Sequence, residues 1–580
     1  MKASDYIVKF LEEKSVEYIF GYQGGMITHL IDSISKSNKI KFIQTYHEQS
    51  AAMAAEGYAR ATNNIGVAIS TSGPGVTNMI TGIANAYFDS IPMIYITGQV
   101  NTYDYKYDKP IRQQGFQEMD VVSVTQSITK YSKMVDRLED LPYELQKAYR
   151  IAMTGRKGPV VLDIPMNIQR GNIDIQDFSY LEKENTNYKI PKKEIGESIE
   201  IIKNSKGPMF LIGAGFISDN VFELFEDIVK KTGIPVVNSL LGKGGFSEEN
   251  KEYIGMIGSY GNRNANIGVF NSDCLIVLGS RLDNRQTGNI LDKFVIKKKI
   301  IHVDIDEEEL SNNRLSNRIK LNISTKEFLL CLKEKIGNFK ISSNWSKYIE
   351  RIKENYNQAK EIEKNIDNKF PYEFIEVLNG YTKEGDIITA DIGQNQMWSA
   401  QYIKMKRNQR WFTSGGLAPM GYSLPAAVGA AFSNKECKIF SLMGDGGFHI
   451  ALQSLMLISQ YNLPIKVIVL NNESLGMITQ FQELYFDSRM VGTAKEGGYL
   501  VPEISKIAES YGLKYFKIDK ENIKDKKLID EIFSERNGII EVKIEGKTKV
   551  YPKLEFDSSL ENTSPKLSNE ELKKTEFTID

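Results

Sequence analysis

Short apolar runs of strand length, each introduced by a proline, recur along the chain: IPMIYITG from Ile91, GPVVLDIP from Gly158, GPMFLIGAG from Gly207, IPVVN from Ile234 and LPIKVIVLNN from Leu463. Continuous apolar runs bounded by Gly and Pro fit strands covered on both faces. Between them lie amphipathic helical stretches such as NVFELFEDIVKKTG. Strands alternating with helices predict an α/β chain built on doubly wound parallel sheets, which bind ligands at the carboxyl ends of their strands.

Two polar stretches break the alternation and read as connectors: FSYLEKENTNYKIPKKE from Phe178, and the charged, helix-like span 342–369. They divide the chain into three α/β units, 1–185, 186–345 and 346–548. A polar tail, 549–580, follows; it is too poor in branched apolar residues to form a core of its own, and so either wanders or drapes over another surface. The opening MKASDYIVKFLEEKSVEYIF spaces its apolar residues as a helix does, unlike a signal peptide.

Composition narrows the function classes. A length of 580 residues exceeds one hydrophobic core. A net charge of -1 leaves no basic excess for nucleic acid. No segment reaches the roughly 18 consecutive apolar residues of a membrane span. Cys274, Cys331 and Cys437 are odd in number and far apart in sequence, which fits a reducing compartment and neither a disulfide framework nor a zinc site. The expectation is a cytoplasmic protein with small-molecule chemistry.

The candidate chemistry centres on KIFSLMGDGGF, a strand running into Gly444, Asp445, Gly446 and Gly447. Glycines there permit a tight turn and close approach of a phosphate, and the helix that follows favours an anion at its N-terminus. The Asp445 carboxylate is a hard oxygen ligand for a divalent ion bound by that anion. One βαβ crossover later, PIKVIVLNN brings Asn472 to a neighbouring strand end, where its side-chain oxygen can reach the same ion. A capping aspartate and turn asparagines are the plainer alternative. YHEQSAAMAAEGYAR places Glu48 at the start of a small-residue helix, where a carboxylate is also stabilised by the helix dipole alone.

GDG followed by NN is the signature of thiamine diphosphate enzymes, and the chain resembles that family. HEQ, AAEGYAR, TSGPGVTN and IPMIYITGQV stand in the order seen in its carboligases. GFQE (115–118), GSRLDNRQTG (279–288), HVDID (302–306), GQNQMWSAQ (393–401), SGGLAPMGYSLPAAVGAA from Ser414 and NNESLGM from Asn471 narrow the resemblance to acetolactate synthases. The resemblance implies three doubly wound parallel-sheet domains of the thiamine diphosphate enzyme type: pyrimidine-binding, FAD-binding-like, and diphosphate- and magnesium-binding. It implies Glu48 as the catalytic carboxyl against the aminopyrimidine, and Asp445, Asn472 and the main chain of Ser474 as Mg2+ ligands. Gln394, Ala418, Met420, Gly444, Gly446, Gly447 and Met477 would line the coenzyme site, Met420 bending the coenzyme, although methionine is also ordinary core packing. Gly213, Gly215, Gly279, Arg281, Asp283, Asp304 and Asp306 match flavin-contacting motifs for a structural FAD, with Asn322-Ile323 departing from the family's Gly-Asp. Phe116, Gln117, Arg285 and Phe481 would face substrate; Arg285 has an ion pair with Asp283 or a neighbour as its alternative.

The implied reaction is decarboxylation of pyruvate and transfer of the hydroxyethyl carbanion to a second carbonyl, in a homodimer or homotetramer. A regulatory subunit is left open. Departures cluster at the substrate mouth: Pro165-Met166-Asn167 stands where the family has Pro-Lys-Asp, Phe481 where it has tryptophan, and Gln23 where it has proline. Two rivals follow. One keeps the donor but takes a nucleotide-linked keto-deoxysugar as acceptor; the other is an FAD-dependent pyruvate oxidase.

Overall fold

The structure is a computed structural model describing residues 1–174, 190–296, 298–544 and 548–578. Most of the connector read from Phe178, including the boundary at 185, lies outside the described residues. Among those described, the strands form three six-stranded sheets in which every pairing is parallel. The first holds β1 (Tyr18–Gly21), β2 (Lys41–Gln44), β3 (Gly66–Ser70), β4 (Met93–Gln99), β5 (Tyr131–Met134) and β6 (Pro159–Pro165), in the order β2-β1-β3-β4-β6-β5. The second holds β7 (Pro208–Ile212), β8 (Val236–Asn238), β9 (Tyr253–Met256), β10 (Cys274–Leu278), β11 (Lys299–Asp304) and β12 (Ile319–Asn322), in the order β12-β11-β10-β7-β8-β9. The third holds β13 (Ile387–Ala390), β14 (Arg410–Phe412), β15 (Ile439–Gly444), β16 (Ile465–Asn471), β17 (Tyr515–Ile518) and β18 (Gly538–Lys543). Its order, β14-β13-β15-β16-β18-β17, repeats that of the first sheet. In each sheet the order reverses at one point, β1/β3, β7/β10 and β13/β15, where helices leave to opposite faces and a crevice opens.

The apolar runs behave as their pattern predicts: β3, β4, β6, β7, β10 and β16 are buried at every position. The first and third sheets share a core because helices Glu48–Thr62 and Ser423–Ser433 lie in backbone contact. A Cβ on Gly57 would stand 2.1 Å from the Ala426 carbonyl oxygen, and one on Gly429 1.7 Å from that of Ala54.

Two segments differ from the plain pattern. The single helix expected after Asp445 is broken into Asp445–Ile450, a 3-10 turn Leu452–Ser454, and Leu455–Tyr461. The break turns Gln453 toward helix Glu48–Thr62, where its amide donates to Ser50 Oγ at 2.9 Å. The charged span from 342 is two helices, Ser343–Tyr356 and Gln358–Asn365, and the first buries Trp345, Tyr348, Ile349 and Ile352 against the second sheet.

The tail drapes over that same surface. Leu560, Leu567 and Phe577 join the cluster around Trp345, and buried Arg263 donates to the carbonyls of Thr563 and Pro565 while pairing with Glu361. Among the described residues, no helix is long and apolar enough to cross a membrane.

Candidate functional site

At the carboxyl ends of β15 and β16 the chain builds a small polar frame. Adjacent parallel strands in register, Gly444 opposite Leu470, carry Asp445 and Asn472 to the same edge. The buried Asp445 carboxylate accepts the Asn472 main-chain N–H at 3.1 Å and the Tyr499 hydroxyl at 2.5 Å. Burial pushes its pKa up, against the hydrogen bonds that favour the anion. Asn472 donates from Nδ2 to Gln394 Oε1 at 3.0 Å, and its Oδ1 accepts the Ser474 N–H at 3.3 Å, closing a turn with Glu473 at φ 52°. Gln394 is held from behind, its Nε2 donating to the Thr548 carbonyl at 2.6 Å.

Three of the frame's glycines are crowded, whereas a Cβ on Gly444 would meet only Asn395 Nδ2, at 3.5 Å. A Cβ on Gly446 would lie 2.8 Å from Met420 Cε, one on Gly447 2.7 Å from Asp391 Oδ1, and one on Gly476 1.9 Å from Gln394 Oε1. Asn395 Oδ1, beside Gly444, is buried without a protein partner. One carboxylate, one amide oxygen and adjacent main chain form a hard-oxygen donor set, and a glycine-lined helix start stands next to it, so the residues fit a magnesium-bound diphosphate.

Met420 and Ala418 reach this frame on the loop between β14 and helix Ser423–Ser433, with Ala418 at φ 61°. Asp391, at the end of β13, fixes the loop's exit by accepting the N–H groups of Gly421 and Ser423, both at 3.0 Å. Burial raises its pKa to about 6. Met477 lies half-buried on helix Gly476–Tyr485, which also carries Phe481, 40% exposed and packed against Tyr485 and Phe486.

Glu48 occupies the first turn of its helix, 7% exposed, and accepts from Asn78 Nδ2 at 2.9 Å. The bond from Asn78 ties Glu48 to the first sheet's unit, whereas those from Asn472 and Tyr499 tie Asp445 to the third. Gln117, at φ 63°, packs its carbonyl against Gly73, and Phe116 is 80% exposed beside it.

A second cleft, with a cavity volume of about 230 Å³, opens at the β7/β10 reversal. Gly215, Gly279, Arg281, Asp283 and Asp304 line it, as does Arg285. Gly213 serves packing: a Cβ there would stand 2.3 Å from the Gly279 carbonyl oxygen. Asp283 caps the short helix Asn284–Thr287 and pairs with Arg281 at 3.6 Å. Asp306 caps helix Glu307–Asn312 and holds Arg156 at 2.9 Å. Burial lifts Asp304 to about 6. Trp411 Nε1, in the cleft wall, is buried without a protein partner, and Arg156 adds a cation. An unpaired donor beside arginines fits a large anionic aromatic group such as a flavin nucleotide.

The geometry therefore gathers the expected coenzyme residues, gathers most of the flavin set, and leaves Phe116, Gln117, Arg285 and Phe481 in three different places within one chain. Sequence reasoning missed Tyr499, Asn78, Asp391 and Arg156. Asp391, ending a strand in ITADIGQNQ, and Arg156, just before GPVVLDIP, carried a positional signal. Asn78 closes the motif TSGPGVTN, whereas Tyr499 carried no signal.

Comparison with known proteins converges on this description. Residues 1–124 match the thiamine pyrophosphate enzyme N-terminal TPP binding domain, 195–332 the central domain and 391–542 the C-terminal TPP binding domain. The chain is 36% identical over 558 residues to the probable acetolactate synthase large subunit of Methanocaldococcus jannaschii, covering 94% of this chain and 92% of that protein. The acetolactate synthase large subunit of Lactococcus lactis subsp. lactis is 35% identical over 555 residues, 95% of this chain and 93% of that protein. Acetolactate synthase 2, chloroplastic, of Nicotiana tabacum is 35% identical over 531 residues, 88% and 77% respectively. With glycine frame, strand order and relatives in agreement, this chain belongs to the acetolactate synthase family of thiamine pyrophosphate enzymes.

Proposed function

We propose that the protein decarboxylates pyruvate and joins the remaining two-carbon unit to a second carbonyl, two pyruvates giving 2-acetolactate and carbon dioxide. The observation that carries this reading is the Asp445–Asn472 frame at the ends of two adjacent parallel strands, three of its glycines closed to side chains. Asp445, Asn472 and the Ser474 main chain hold Mg2+, and Gly446, Gly447, Gln394, Ala418, Met420 and Met477 shape the coenzyme pocket around it. Thiamine diphosphate supplies the electron sink that makes loss of carbon dioxide from a 2-oxoacid possible. Glu48, its carboxyl oriented by the Asn78 Nδ2 bond to Oε2 at 2.9 Å, would hold the proton shared with the coenzyme's pyrimidine ring. The protein acts at least as a homodimer, the pocket being completed between two copies with Glu48 from one and the Asp445 frame from the other. A flavin occupies the cleft at β7/β10 as a structural group. Three unpaired cysteines support a reducing, cytoplasmic setting.

A second reading keeps the donor and changes the acceptor to a nucleotide-linked keto-deoxysugar. It is favoured by the uncharged residues at the substrate mouth: Met166, and Asn167, whose amide is spent on Thr102 N and Oγ1, both at 2.9 Å. The test is product analysis by mass spectrometry after incubation with pyruvate, Mg2+ and thiamine diphosphate. Acetolactate dependent on both cofactors, and lost in Glu48→Gln, is the expected result. Its absence with pyruvate alone, with a branched product on adding a keto-deoxysugar nucleotide, selects the second reading; no product from either overturns both.

A further inference from the structure

The loop that brings Ala418 and Met420 to the glycine frame is gripped from the other side by four residues of the first sheet's unit. Asp89 Oδ1 accepts the Gly416 N–H at 2.8 Å, and its Oδ2 accepts that of Gly415 at 3.1 Å. The same carboxylate pairs with Arg60 Nη2 at 2.8 Å, and Arg60 in turn pairs with Glu56 at 2.8 Å. Glu56, fully buried, accepts the Tyr422 hydroxyl at 3.0 Å and Asn85 Nδ2 at 2.8 Å. Asn85 Oδ1 accepts from Ser414 Oγ at 2.5 Å, and that hydroxyl accepts the Ala418 N–H at 2.9 Å. The strand entering the loop is tied as well, Arg410 Nη2 donating to the Arg60 carbonyl at 2.8 Å.

These contacts reach the start, the middle and the end of residues 413–422, and the chain of bonds closes on Ala418, whose left-handed φ turns Met420 toward Gly446. A packing role alone would need no such geometry, because Gly57 and Gly429 already lock the two helices backbone to backbone. Buried charges paired in a closed network are strongly destabilising to break and fix one arrangement of the groups they bind.

We infer that Asp89, Arg60, Glu56 and Asn85 form a latch that positions the Met420 loop for the coenzyme; they are positioning residues and touch no reacting atom. The inference rests on the proposed coenzyme site. Helix Glu48–Thr62 then has two jobs, offering Glu48 at its first turn and anchoring the loop through Glu56 and Arg60 further along.

Thiamine diphosphate binding in the presence of Mg2+ is measured by calorimetry on the full chain, beside pyruvate kinetics and thermal melting. Asp89→Asn keeps the shape but presents an amide to Arg60 and the glycine N–H groups; its thiamine diphosphate Kd is expected to rise about 10-fold or more while KM for pyruvate stays within about twofold. Tyr422→Phe, which deletes one hydroxyl, is expected to raise the Kd about threefold with little change in melting. Wild-type Kd in a folded Asp89→Asn, whatever its melting temperature, overturns the latch. If Asp89→Asn does not fold, wild-type Kd in Tyr422→Phe does the same. Failure of the unaltered protein to bind thiamine diphosphate counts instead against the coenzyme reading.

Discussion

The frame around Asp445 stands beside a strand-order reversal, β13/β15, and the cleft around Arg156 at another, β7/β10, yet they are assembled differently. The first is local: one crossover from β15 to β16 supplies Asp445 and Asn472, and a Cβ added at Gly446, Gly447 or Gly476 would stand within 2.8 Å of a neighbouring atom. The second is composite, drawing Arg156 from beside the first sheet, Gly279 and Asp304 from the second, and Trp411 from the third. A local frame concentrates its function in a few side chains, so one substitution should disable it. A composite cleft spreads recognition over many contacts, and single losses should be partial.

The sharpest break of this comparison is Asp445→Ala. Substituting partners that merely support a metal ligand typically weakens affinity 10- to 100-fold, so removing the carboxylate itself should weaken Mg2+-dependent thiamine diphosphate binding by more than about 100-fold. Calorimetry reads this directly, and flavin content should be unaffected. Residual tight binding would show that the frame is as distributed as the cleft.

Each region also holds one aspartate pushed up to about 6 by burial, Asp391 in the frame and Asp304 in the cleft. A folded-state pKa raised above 3.8 means that the protonated form is favoured by folding. That stability is fully present below about pH 4 and is lost as pH rises through about 6. Replacing Asp391 by Asn removes the ionisation, so its melting temperature relative to the unaltered protein should improve as pH rises across that window. The relative gain is at most about 3 kcal/mol, from roughly two pKa units. The lost hydrogen bond to Ser423 N shifts the whole curve downward without changing its slope. Asp304→Asn should show a smaller slope, because the cleft leaves that side chain partly open to water. Equal slopes would mean that the cleft is as dry as the frame.

This contrast also governs what the sequence made legible. The strands at Ile91, Gly158, Gly207, Ile234 and Leu463 declared themselves because buried parallel strands need unbroken apolar runs, and each formed one. Asp445 and Asn472 were legible for the same local reason, a fixed spacing across one crossover. Tyr499 was not, because it meets its carboxylate through tertiary folding that no short-range pattern records, and Asn78, although it closes TSGPGVTN, gave no sign there that Glu48 is its partner. The tail's course was invisible too: its polar composition told that it lacks a core, and only the aromatic face that Trp345 and Tyr348 turn to Phe577 decides where it lies. The broken helix after Ile450 illustrates the limit from the other side, since its apolar spacing runs on unbroken while Ser50 captures Gln453.

A weaker effect tests the composite cleft. Arg156 lines it while paired with Asp306 and Glu309, at 2.9 and 3.2 Å. Arg156→Ala should lower flavin affinity about 10-fold, the share of one charge-assisted contact among many. Visible absorbance of the purified protein after titration with FAD gives the value, and thiamine diphosphate binding should not move. Complete loss of flavin would make the cleft as dependent on one residue as the frame is on Asp445.

The smallest expected change lies where the tail crosses the second sheet's unit. The Tyr348 hydroxyl donates to the Thr575 carbonyl at 2.7 Å, while its ring and that of Trp345 pack against Phe577 at centroid distances of 5.1 and 4.9 Å. Tyr348→Phe removes the hydrogen bond and keeps the rings, so it should destabilise by about 1 kcal/mol, the usual net worth of a buried hydrogen bond. The Leu554 N–H donates to the Ser259 carbonyl at 2.7 Å, which ties the tail to a residue in the cleft wall. If the tail only covers apolar surface, the variant melts slightly earlier and binds FAD as before. If flavin affinity falls along with stability, the tail belongs to the cleft, and the composite region extends to the last described residues of the chain.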